Sequence, residues 1–412
     1  MVEYPGGDLK FMFNRLVSYQ NIKEAYLEIV EQFSADSRQY KYRGADSLYP
    51  KDFDYHPHDL ITKVQTELLE KKAIDPALSV SIPKRNRPGE WREIFIYNFK
   101  ERVKAQAVSR VLLPEFEKRF SPRLFSYRPN KSPHLAAKLY SQNYRRRYKD
   151  DYALIIDLKN YTDTIDRKIL LEKLQAVFSD SNIIDILKLF IFNDFYRDGV
   201  RQASPMGIVL GSPLVVLFSN LYLTDFDYKY QKAVEFYIRV GDDIAILDSD
   251  FNKLQELSRE IFKDLSSLSV EVNKDKLFCG PARELHSYLG YFFQGGVISL
   301  LPSYTNRLLA DWRRILRYRN LPEEAKDKLF RGLMFKPESN FNEQFKRIIR
   351  EKPQINNGEQ ISKLSEDFFK ILTKFFYNKY SSRQRRLLKE KLKTYQLKSL
   401  YQVYKEFHYE RS

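Results

Sequence analysis

The sequence predicts an α+β fold in which an antiparallel sheet occupies the middle of the chain and a helical region follows it. Short apolar runs separated by turns, which are typical of strands, concentrate between about residues 76 and 296. One of them is a tight hairpin with paired aspartates, at 237–247. After Pro302 the strand signals fade and long helical patterns dominate.

The first 75 residues form a predicted N-terminal helical extension that carries no motif we can assign. Helical patterns cover about 8–33 and 59–72, and a loop rich in tyrosine, aspartate and proline joins them. Asp59 is the expected cap of the second helix. The positions expected to be buried in the first helical segment are Phe11, Leu16, Ile22, Tyr26, Ile29 and Phe33.

The hairpin contains two adjacent carboxylates, Asp242 and Asp243, between two short apolar runs. Gly241 allows the chain to reverse tightly, so the carboxylates are pushed out of an otherwise apolar sheet. Like charges placed there repel each other, and a divalent cation would neutralise them. Taken alone, the motif is better explained as a plain polar turn.

A second acidic strand changes that balance. The apolar run that begins at Ala153 ends in Asp157. If this strand lies beside the hairpin, Asp157 joins Asp242 across a gap that two Mg²⁺ ions fit, since Mg²⁺ prefers carboxylates, water and substrate phosphates. We therefore predict a Mg²⁺ site, with Mn²⁺ as an alternative, at Asp157, Asp242 and Asp243, as in a nucleotidyl-transferring palm. The alternative is that Asp157 caps the following helix.

Motifs in a fixed order extend this pattern along the chain. They are Ile82-Pro-Lys84 with Trp91-Arg92, Glu101-Arg102 with Gln106, Phe125 to Ser132, Asp157 to Asp166, Gly207 to Leu223, Val240 to Asp243, Val272-Asn273 with Lys276, and Ser287 to Phe292. From about Ile82 to Phe293 the chain thus resembles bacterial reverse transcriptases related to group II intron and retron enzymes. The resemblance implies a right-hand polymerase with fingers over 76–150, a palm over 151–296 and an α-helical thumb over 297–412.

The resemblance also implies roles for individual residues. Asp157 and Asp242 would bind both metal ions, and Asp243 would support the site. Lys84 and Arg92 would hold the incoming triphosphate, and Gly211 would allow the backbone to approach the nucleotide. The further nucleotide-pocket positions are Tyr161, Thr162 and Leu210. The expected nucleic-acid-binding residues are Arg128, Lys276, Leu289, Gly290, Arg383, Arg385 and Arg386.

Several positions depart from the family pattern. Val240 replaces an aromatic residue, and Val215-Val216 replace a Ser-Pro pair. Leu210 stands where a glutamine normally contacts the nucleotide. Thr162 replaces the aromatic that packs beneath the sugar and excludes a 2′-hydroxyl. Such changes beside intact aspartates resemble the abortive-infection and defence-associated reverse transcriptases, some of which polymerise without a conventional template or from a protein primer.

Composition narrows the class of partner and compartment. The 412 residues include 70 Lys and Arg against 54 Asp and Glu, a net charge of +16 that suits a nucleic acid or another polyanion. No apolar run approaches the roughly 20 residues of a membrane span, and the N-terminus lacks signal-peptide features. Cys279 is the only cysteine, so no internal disulfide can form. We expect a cytoplasmic protein.

Basic segments allow two explanations each. Arg145-Arg-Arg147 and the basic stretch from Arg383 to Lys398 could track a nucleic-acid backbone, but a solvated helix surface explains either one as well. Aromatic residues among these charges could stack on bases. The candidates are Tyr144, Tyr148, Tyr318 and Tyr395. Most aromatics at helical spacing are core residues, so we expect stacking at few of them.

The function that these observations favour is DNA polymerisation from deoxynucleoside triphosphates onto a 3′-hydroxyl or a protein hydroxyl. The resemblance implies an RNA template, a role in bacterial antiviral defence, and a non-coding RNA, partner proteins or a second copy as partners. Three alternatives stay open. The first is an RNA-synthesising polymerase, which Thr162 allows. The second is a catalytically silent nucleic-acid-binding scaffold, to which Leu210 points. A group II intron maturase is the third.

Overall fold

A computed structural model describes residues 11–35, 43–54, 56–83, 89, 91–203, 206–317, 320–336 and 340–409. The chain packs as two compact units. The first comprises Met1–Pro133 with Ile156–Leu277, and the second comprises His134–Ile155 with Phe278–Ser412. The observed fold is α+β with a helical C-terminal region, as predicted. The finer division into extension, fingers, palm and thumb remains a proposal.

The N-terminal part of the first unit is helical. Its helices are α1 (Met12–Leu16), α2 (Tyr19–Ala35), α3 (Pro57–Leu69) and α4 (Phe99–Arg119), with a 3₁₀ turn at Pro50–Phe53. Leu16, Ile22, Tyr26 and Ile29 are buried as predicted, but Phe11 is 66% exposed because it precedes the first helix. The side chain of Phe33 lies outside the described part. Asp59 does not cap α3, since that helix begins at Pro57.

A four-stranded sheet follows in the first unit, in the order β2-β1-β4-β5. Its strands are β1 (Ala77–Pro83), β2 (Trp91–Ile96), β4 (Asp194–Arg197) and β5 (Val200–Ala203). Strand β1 pairs antiparallel with β2, with Ile82 opposite Arg92. The sheet therefore places Arg92 on an outer strand, where its side chain is exposed.

A second sheet of the first unit contains the predicted acidic strands, in the order β6-β7-β3-β8. Its strands are β3 (Tyr152–Lys159), β6 (Phe236–Val240), β7 (Asp243–Asp248) and β8 (Glu271–Val272). Strands β6 and β7 are antiparallel and form the predicted hairpin, with Val240 opposite Asp243. Six of the eight residues of β3 are buried, as expected for a strand whose sequence is mostly apolar. The prediction that β3 lies beside the hairpin is confirmed.

Six more helices of the first unit lie between the strands of this sheet along the chain. They are α6 (Tyr161–Thr164), α7 (Arg167–Val177), α8 (Ser181–Ile191), α9 (Pro213–Tyr222), α10 (Thr224–Ala233) and α11 (Phe251–Ser267). Their starts follow ordinary capping chemistry: the Asp166 carboxylate accepts from the backbone of α7, and Ser212 caps α9 ahead of Pro213. The helix that directly follows β3 is α6, whose N-cap residue is Asn160, so Asp157 is not its cap.

The second unit contains a small sheet and the C-terminal helices. Its elements are α5 (Pro133–Arg147), β9 (Phe278–Pro281), β10 (His286–Tyr288), β11 (Tyr291–Gln294), β12 (Val297–Leu300), α12 (Pro302–Ile315), α13 (Glu323–Phe335), α14 (Phe341–Glu351), α15 (Gly358–Tyr377), α16 (Ser382–Thr394) and α17 (Leu400–Tyr409). Strand β9 pairs with the start of β3, and β10, β11 and β12 form an antiparallel meander. Among the described residues, none of the helices is long and apolar enough to span a membrane.

Aromatic residues build the core of the second unit. The Tyr140 and Tyr144 side chains of α5 are fully buried and contact Phe293 of β11. Further along, Trp312 packs edge-on against Phe368. Tyr144 is thus a core residue, as most aromatics at helical spacing are, and the idea that it stacks on a base is wrong. Tyr318 lies outside the described residues.

Candidate active site

Three carboxylates come together where β3 meets the hairpin. Asp157 lies near the end of β3, Asp242 in the turn and Asp243 at the start of β7. The backbone N–H of Leu158 donates to the Asp242 carbonyl at 2.9 Å, which joins the turn directly to β3. The sheet therefore brings together residues that lie about 85 positions apart in the sequence.

The electrostatics of the three carboxylates show how closely they interact. Burial, together with the charges of Asp242 and Asp157, raises the pKa of Asp243 to about 7. Burial and the nearby Asp157 also raise the pKa of Asp242, whereas Lys276 and Arg92 oppose that shift. A group of partly buried like charges is costly without a cation. The site is thus built to receive positive charge.

Two neighbours already hold Asp157 in place. Its carboxylate accepts a hydrogen bond from Asn273 Nδ2 at 2.8 Å and one from Lys276 Nζ at 2.6 Å. The Asn273 backbone N–H also donates to the Asp157 carbonyl, at 2.8 Å. Lys276 was predicted to bind nucleic acid. In this structure its ammonium group forms an ion pair with Asp157.

The donor set fits a divalent cation only together with a substrate. Within the described residues, no three His, Cys, Asp or Glu side chains are arranged to hold a metal ion by themselves. Mg²⁺ commonly takes one or two carboxylates and completes its shell with water and substrate phosphates. Asp157 and Asp242 meet that requirement, while the higher pKa of Asp243 suits a supporting position.

The predicted nucleotide-pocket residues lie in the same unit. Tyr161 is buried, and its hydroxyl donates to the Ser219 carbonyl at 2.5 Å, so this ring is held within the core. Thr162 is half-buried, and its carbonyl accepts from Ile208 N–H at 3.0 Å. Leu210 is also half-buried, while Gly211 is exposed. Lys84 lies outside the described residues.

Gly211 has a structural reason to be glycine. Its φ is +109°, and a Cβ there would lie 2.4 Å from the Phe95 carbonyl oxygen of β2. The close approach that the sequence predicted is therefore made to the protein's own backbone.

The prediction that Arg128 binds nucleic acid is not supported. Its side chain is only 7% exposed and forms a two-pronged ion pair with Glu117. The same guanidinium donates to the carbonyls of Ser121 and Leu124. Because its donors are engaged internally, Arg128 shapes its own loop and has no free face for a phosphate.

The remaining predicted nucleic-acid-binding residues belong to the second unit. Leu289 and Gly290 form the two-residue turn between β10 and β11, both with positive φ. Arg383 and Arg386 are exposed on α16, and Arg385 is half-buried at 3.8 Å from Glu366. The first pair offers a hairpin tip, and the second set offers a basic helix face.

Sequence reasoning missed the residues that surround the hairpin turn. Arg239 and Asp227 are both fully buried and form an ion pair at 2.7 Å. The signal was present as an arginine within the apolar run of β6, which is unusual unless the charge is paired. What could not be seen was its partner, which lies on another element.

A palm-like sheet with carboxylates at a hairpin turn, beside a second acidic strand, is the active-site architecture of a nucleic-acid polymerase. The chain belongs to the reverse transcriptase (RNA-dependent DNA polymerase) family, whose model matches residues 82–293, just over half of the sequence. Protein YkfC of Escherichia coli is 26% identical over 154 residues, which make up 37% of this chain and 40% of YkfC.

Solved structures with similar folds include two telomerases. Telomerase from Candida albicans, in complex with a fragment of telomeric RNA, is 12% identical with a TM-score of 0.46 and covers 79% of this chain and 64% of its own. Apo telomerase from Candida tropicalis is 14% identical with a TM-score of 0.47, and the match covers 80% of this chain and 62% of the telomerase chain. The chain thus spans less than two thirds of the length of each of these proteins and of YkfC.

Proposed function

We propose that this protein is an RNA-directed DNA polymerase that transfers nucleotides from deoxynucleoside triphosphates to a 3′-hydroxyl. The observation that carries the proposal is the meeting of Asp157, Asp242 and Asp243 at the β3–hairpin junction, in a chain of the reverse transcriptase family. A buried cluster of like charges has little value for stability, but it suits a reaction in which divalent cations and a triphosphate must be bound together.

The chain's own residues would divide the work as follows. Asp157 and Asp242 would hold Mg²⁺ or Mn²⁺, which when bound supplies charge stabilisation for the attacking and leaving oxygens. Lys84 and Arg92 would neutralise the triphosphate, and Arg92 is close enough to influence the pKa of Asp242. Lys276 and Asn273 orient Asp157. Positioning and charge neutralisation of this kind are the main sources of rate in phosphoryl transfer.

We further propose a cytoplasmic protein of bacterial antiviral defence that works with a non-coding RNA or partner proteins. The departures at Thr162, Leu210 and Val240 support this subgroup, and the net charge of +16 suits an RNA partner. In the second unit, Leu289 and Gly290 would contact the primer, and Arg383, Arg385 and Arg386 would follow the backbone of the duplex. Either a nucleic acid or a tyrosine hydroxyl could serve as primer.

The experiment that tests the central proposal removes the turn carboxylates. Asp242→Ala with Asp243→Ala should abolish metal-dependent incorporation of deoxynucleotides, measured by primer extension with Mg²⁺ and with Mn²⁺. The thermal midpoint should stay unchanged or rise slightly, because like charges are removed. The control is Asp225→Ala, an aspartate whose side chain is 83% exposed in the same unit. Incorporation by the double variant at the wild-type rate would overturn the assignment, and a wild-type protein that binds nucleic acid without incorporating would favour the silent scaffold.

A second candidate, incorporation of ribonucleotides, is favoured by the pocket. The Tyr161 hydroxyl is bonded to a backbone carbonyl, so this ring cannot swing beneath the sugar without leaving the core. Thr162 therefore leaves room for a 2′-hydroxyl. We predict weak discrimination between matched deoxy- and ribonucleotides in the wild type. Thr162→Phe should raise the preference for deoxynucleotides by at least about tenfold, since it adds a clash against the wrong sugar. A strong preference that Thr162→Phe does not alter would place the gate at another residue.

A further inference from the structure

The residue before Asp242 is held at both of its backbone polar groups. The Gly241 N–H donates to the Ser126 hydroxyl. The Gly241 carbonyl accepts from Arg239 Nη1 at 3.0 Å. A two-residue hairpin turn normally leaves its peptide groups to solvent, so two side-chain partners on one turn residue are unusual. Together they hold the two peptide groups on either side of Gly241, the second of which leads into Asp242.

Arg239 is itself immobilised. Its side chain is fully buried, with Nε and Nη2 each 2.7 Å from a separate oxygen of Asp227. Tyr237 donates its hydroxyl to the same carboxylate at 2.6 Å. Burial opposes the charge of Arg239, but the adjacent Asp227 carboxylate outweighs it and raises the pKa of the guanidinium. The group that holds the Gly241 carbonyl is therefore always charged and fixed in place.

Asn220 connects the two partners of the turn. Its Nδ2 donates to the Ser126 carbonyl at 2.9 Å, and its own carbonyl accepts from Arg239 Nη2 at 3.3 Å. The backbone adds two more links, from Arg239 N–H to the Arg123 carbonyl and from Phe125 N–H to the Arg239 carbonyl, at 3.0 and 2.9 Å. The loop at 123–126 thus lies along the outer edge of β6. We call Ser126, Asn220, Asp227 and Arg239 the turn clamp.

Stability alone does not explain the turn clamp. A buried ion pair is often replaceable by apolar residues of similar volume without loss of stability, because desolvation cancels much of the attraction. What an apolar replacement cannot supply is a donor for the Gly241 carbonyl. Since a displacement of about 1 Å at a reacting centre can lower a rate about 100-fold, a rigid turn has a direct catalytic use.

We infer that Ser126 and Arg239 are positioning residues that fix the Asp242 carboxylate for divalent-cation binding. This inference rests on the proposed function, in which Asp242 holds the cation. The turn clamp acts through the Gly241 peptide, and neither Ser126 nor Arg239 needs to touch the substrate.

The first experiment removes one hydrogen bond with little change in volume. Ser126→Ala should lower kcat for nucleotide incorporation about tenfold and weaken Mn²⁺ binding several-fold, measured by electron paramagnetic resonance in the presence of dTTP. The KM for the nucleotide should change little. Ser126→Thr keeps the hydroxyl and should restore both values. The matched control is Ser121→Ala: this serine is equally buried in the same loop, but its hydroxyl serves Gln231 and the Arg123 N–H.

The second experiment separates positioning from stability. Replacing the buried polar set together, with Arg239→Met, Asp227→Leu and Tyr237→Phe, leaves no unpaired charge. This variant should keep a thermal midpoint near that of the wild type and still show reduced kcat and weakened Mn²⁺ binding. Should it fail to fold, the Ser126 series decides the inference alone.

The outcomes distinguish this inference from the proposed function. Wild-type kcat and Mn²⁺ affinity in Ser126→Ala would overturn the turn clamp, as would a fall in thermal midpoint with no change in either value. If the wild type incorporates nothing, the proposed function fails, and equal Mn²⁺ affinity in the wild type and Ser126→Ala then overturns the clamp independently. A wild type that binds no Mn²⁺ overturns both.

Discussion

Two short hairpins of this protein have loops of the same length and different supporting side chains. The β6–β7 hairpin turns through Gly241 and Asp242, and the β10–β11 hairpin turns through Leu289 and Gly290. Each loop has two residues, but φ is positive only at Gly241 in the first turn and at both Leu289 and Gly290 in the second. Loop length therefore does not distinguish them.

Their surroundings do. Two side chains hold the Gly241 peptide, one of them a fully buried arginine in an ion pair. At the second turn, Lys352 Nζ donates to the Leu289 carbonyl at 3.2 Å and lies 4.6 Å from the centre of the Tyr291 ring. Burial lowers the pKa of Lys352, so its charged form is less favourable there than in water. The first turn is held by the buried Arg239–Asp227 ion pair, and the second is contacted by the ammonium group of Lys352.

Breaking the buried ion pair should have the largest effect. Arg239→Met leaves the Asp227 carboxylate buried without its partner and should lower the free energy of unfolding by about 3–5 kcal/mol. Urea midpoints compared at constant pH measure the change. The matched substitution at the other hairpin, Lys352→Met, keeps the stem over Tyr291 and should cost within about 1 kcal/mol. Equal losses in the two variants would remove the distinction between the turns.

The second hairpin should instead respond to pH through His286 of β10. Burial lowers the pKa of His286 to about 4. Nδ1 lies 2.9 Å from the Glu284 carbonyl and so carries the proton, which leaves Nε2 to accept from the Tyr140 hydroxyl at 2.7 Å. Unfolding exposes a ring that protonates near pH 6.5, so the neutral ring's contribution is fully present above pH 6.5 and is lost as the pH falls toward 4.

The shift corresponds to at most about 3 kcal/mol. Thermal midpoints between pH 7 and pH 4.5 should therefore fall more steeply in the wild type than in His286→Asn, which cannot titrate. Parallel curves for the two proteins would show that other groups dominate acid sensitivity. The first hairpin should act in the opposite direction, because the raised pKa of Asp243, about 7, makes the folded state more stable as the pH falls and this carboxyl is protonated.

The smallest predicted effect concerns nucleic-acid affinity. It compares the arginines of α16 with Arg128, whose guanidinium is paired inside the protein. Replacing Arg383, Arg385 and Arg386 by Gln should reduce the slope of log K against log salt by about 2–3, since up to three phosphate contacts are lost. Fluorescence anisotropy with a labelled RNA–DNA duplex measures that slope. Arg128→Gln is the control, because its guanidinium is already paired with Glu117. An unchanged slope in the triple variant would make the α16 arginines ordinary surface charge.

Several features of the fold followed from the sequence because their causes are local. The hairpin at 237–247 was predicted from a glycine between two apolar runs, and it forms with Val240 opposite Asp243. The strand ending at Asp157 was predicted from its continuous apolar run, and β3 is buried along almost its whole length. Motif order was enough to identify the family that residues 82–293 match. Helix starts were predicted less accurately. Asp59 lies inside α3 and does not cap it, and Phe11 is exposed ahead of α1.

By itself, the sequence determined the carboxylates, the hairpin that carries two of them, and the basic character of the chain. Local periodicity, turn residues and composition encode these features directly. Only the tertiary structure decided what each charge does. Ser126 meets a peptide 115 residues away, Lys276 pairs with Asp157 across 119 residues, and Arg128 turns inward to Glu117. Such contacts depend on how elements pack, because a side chain's partner is chosen by distance in space, which no local pattern records.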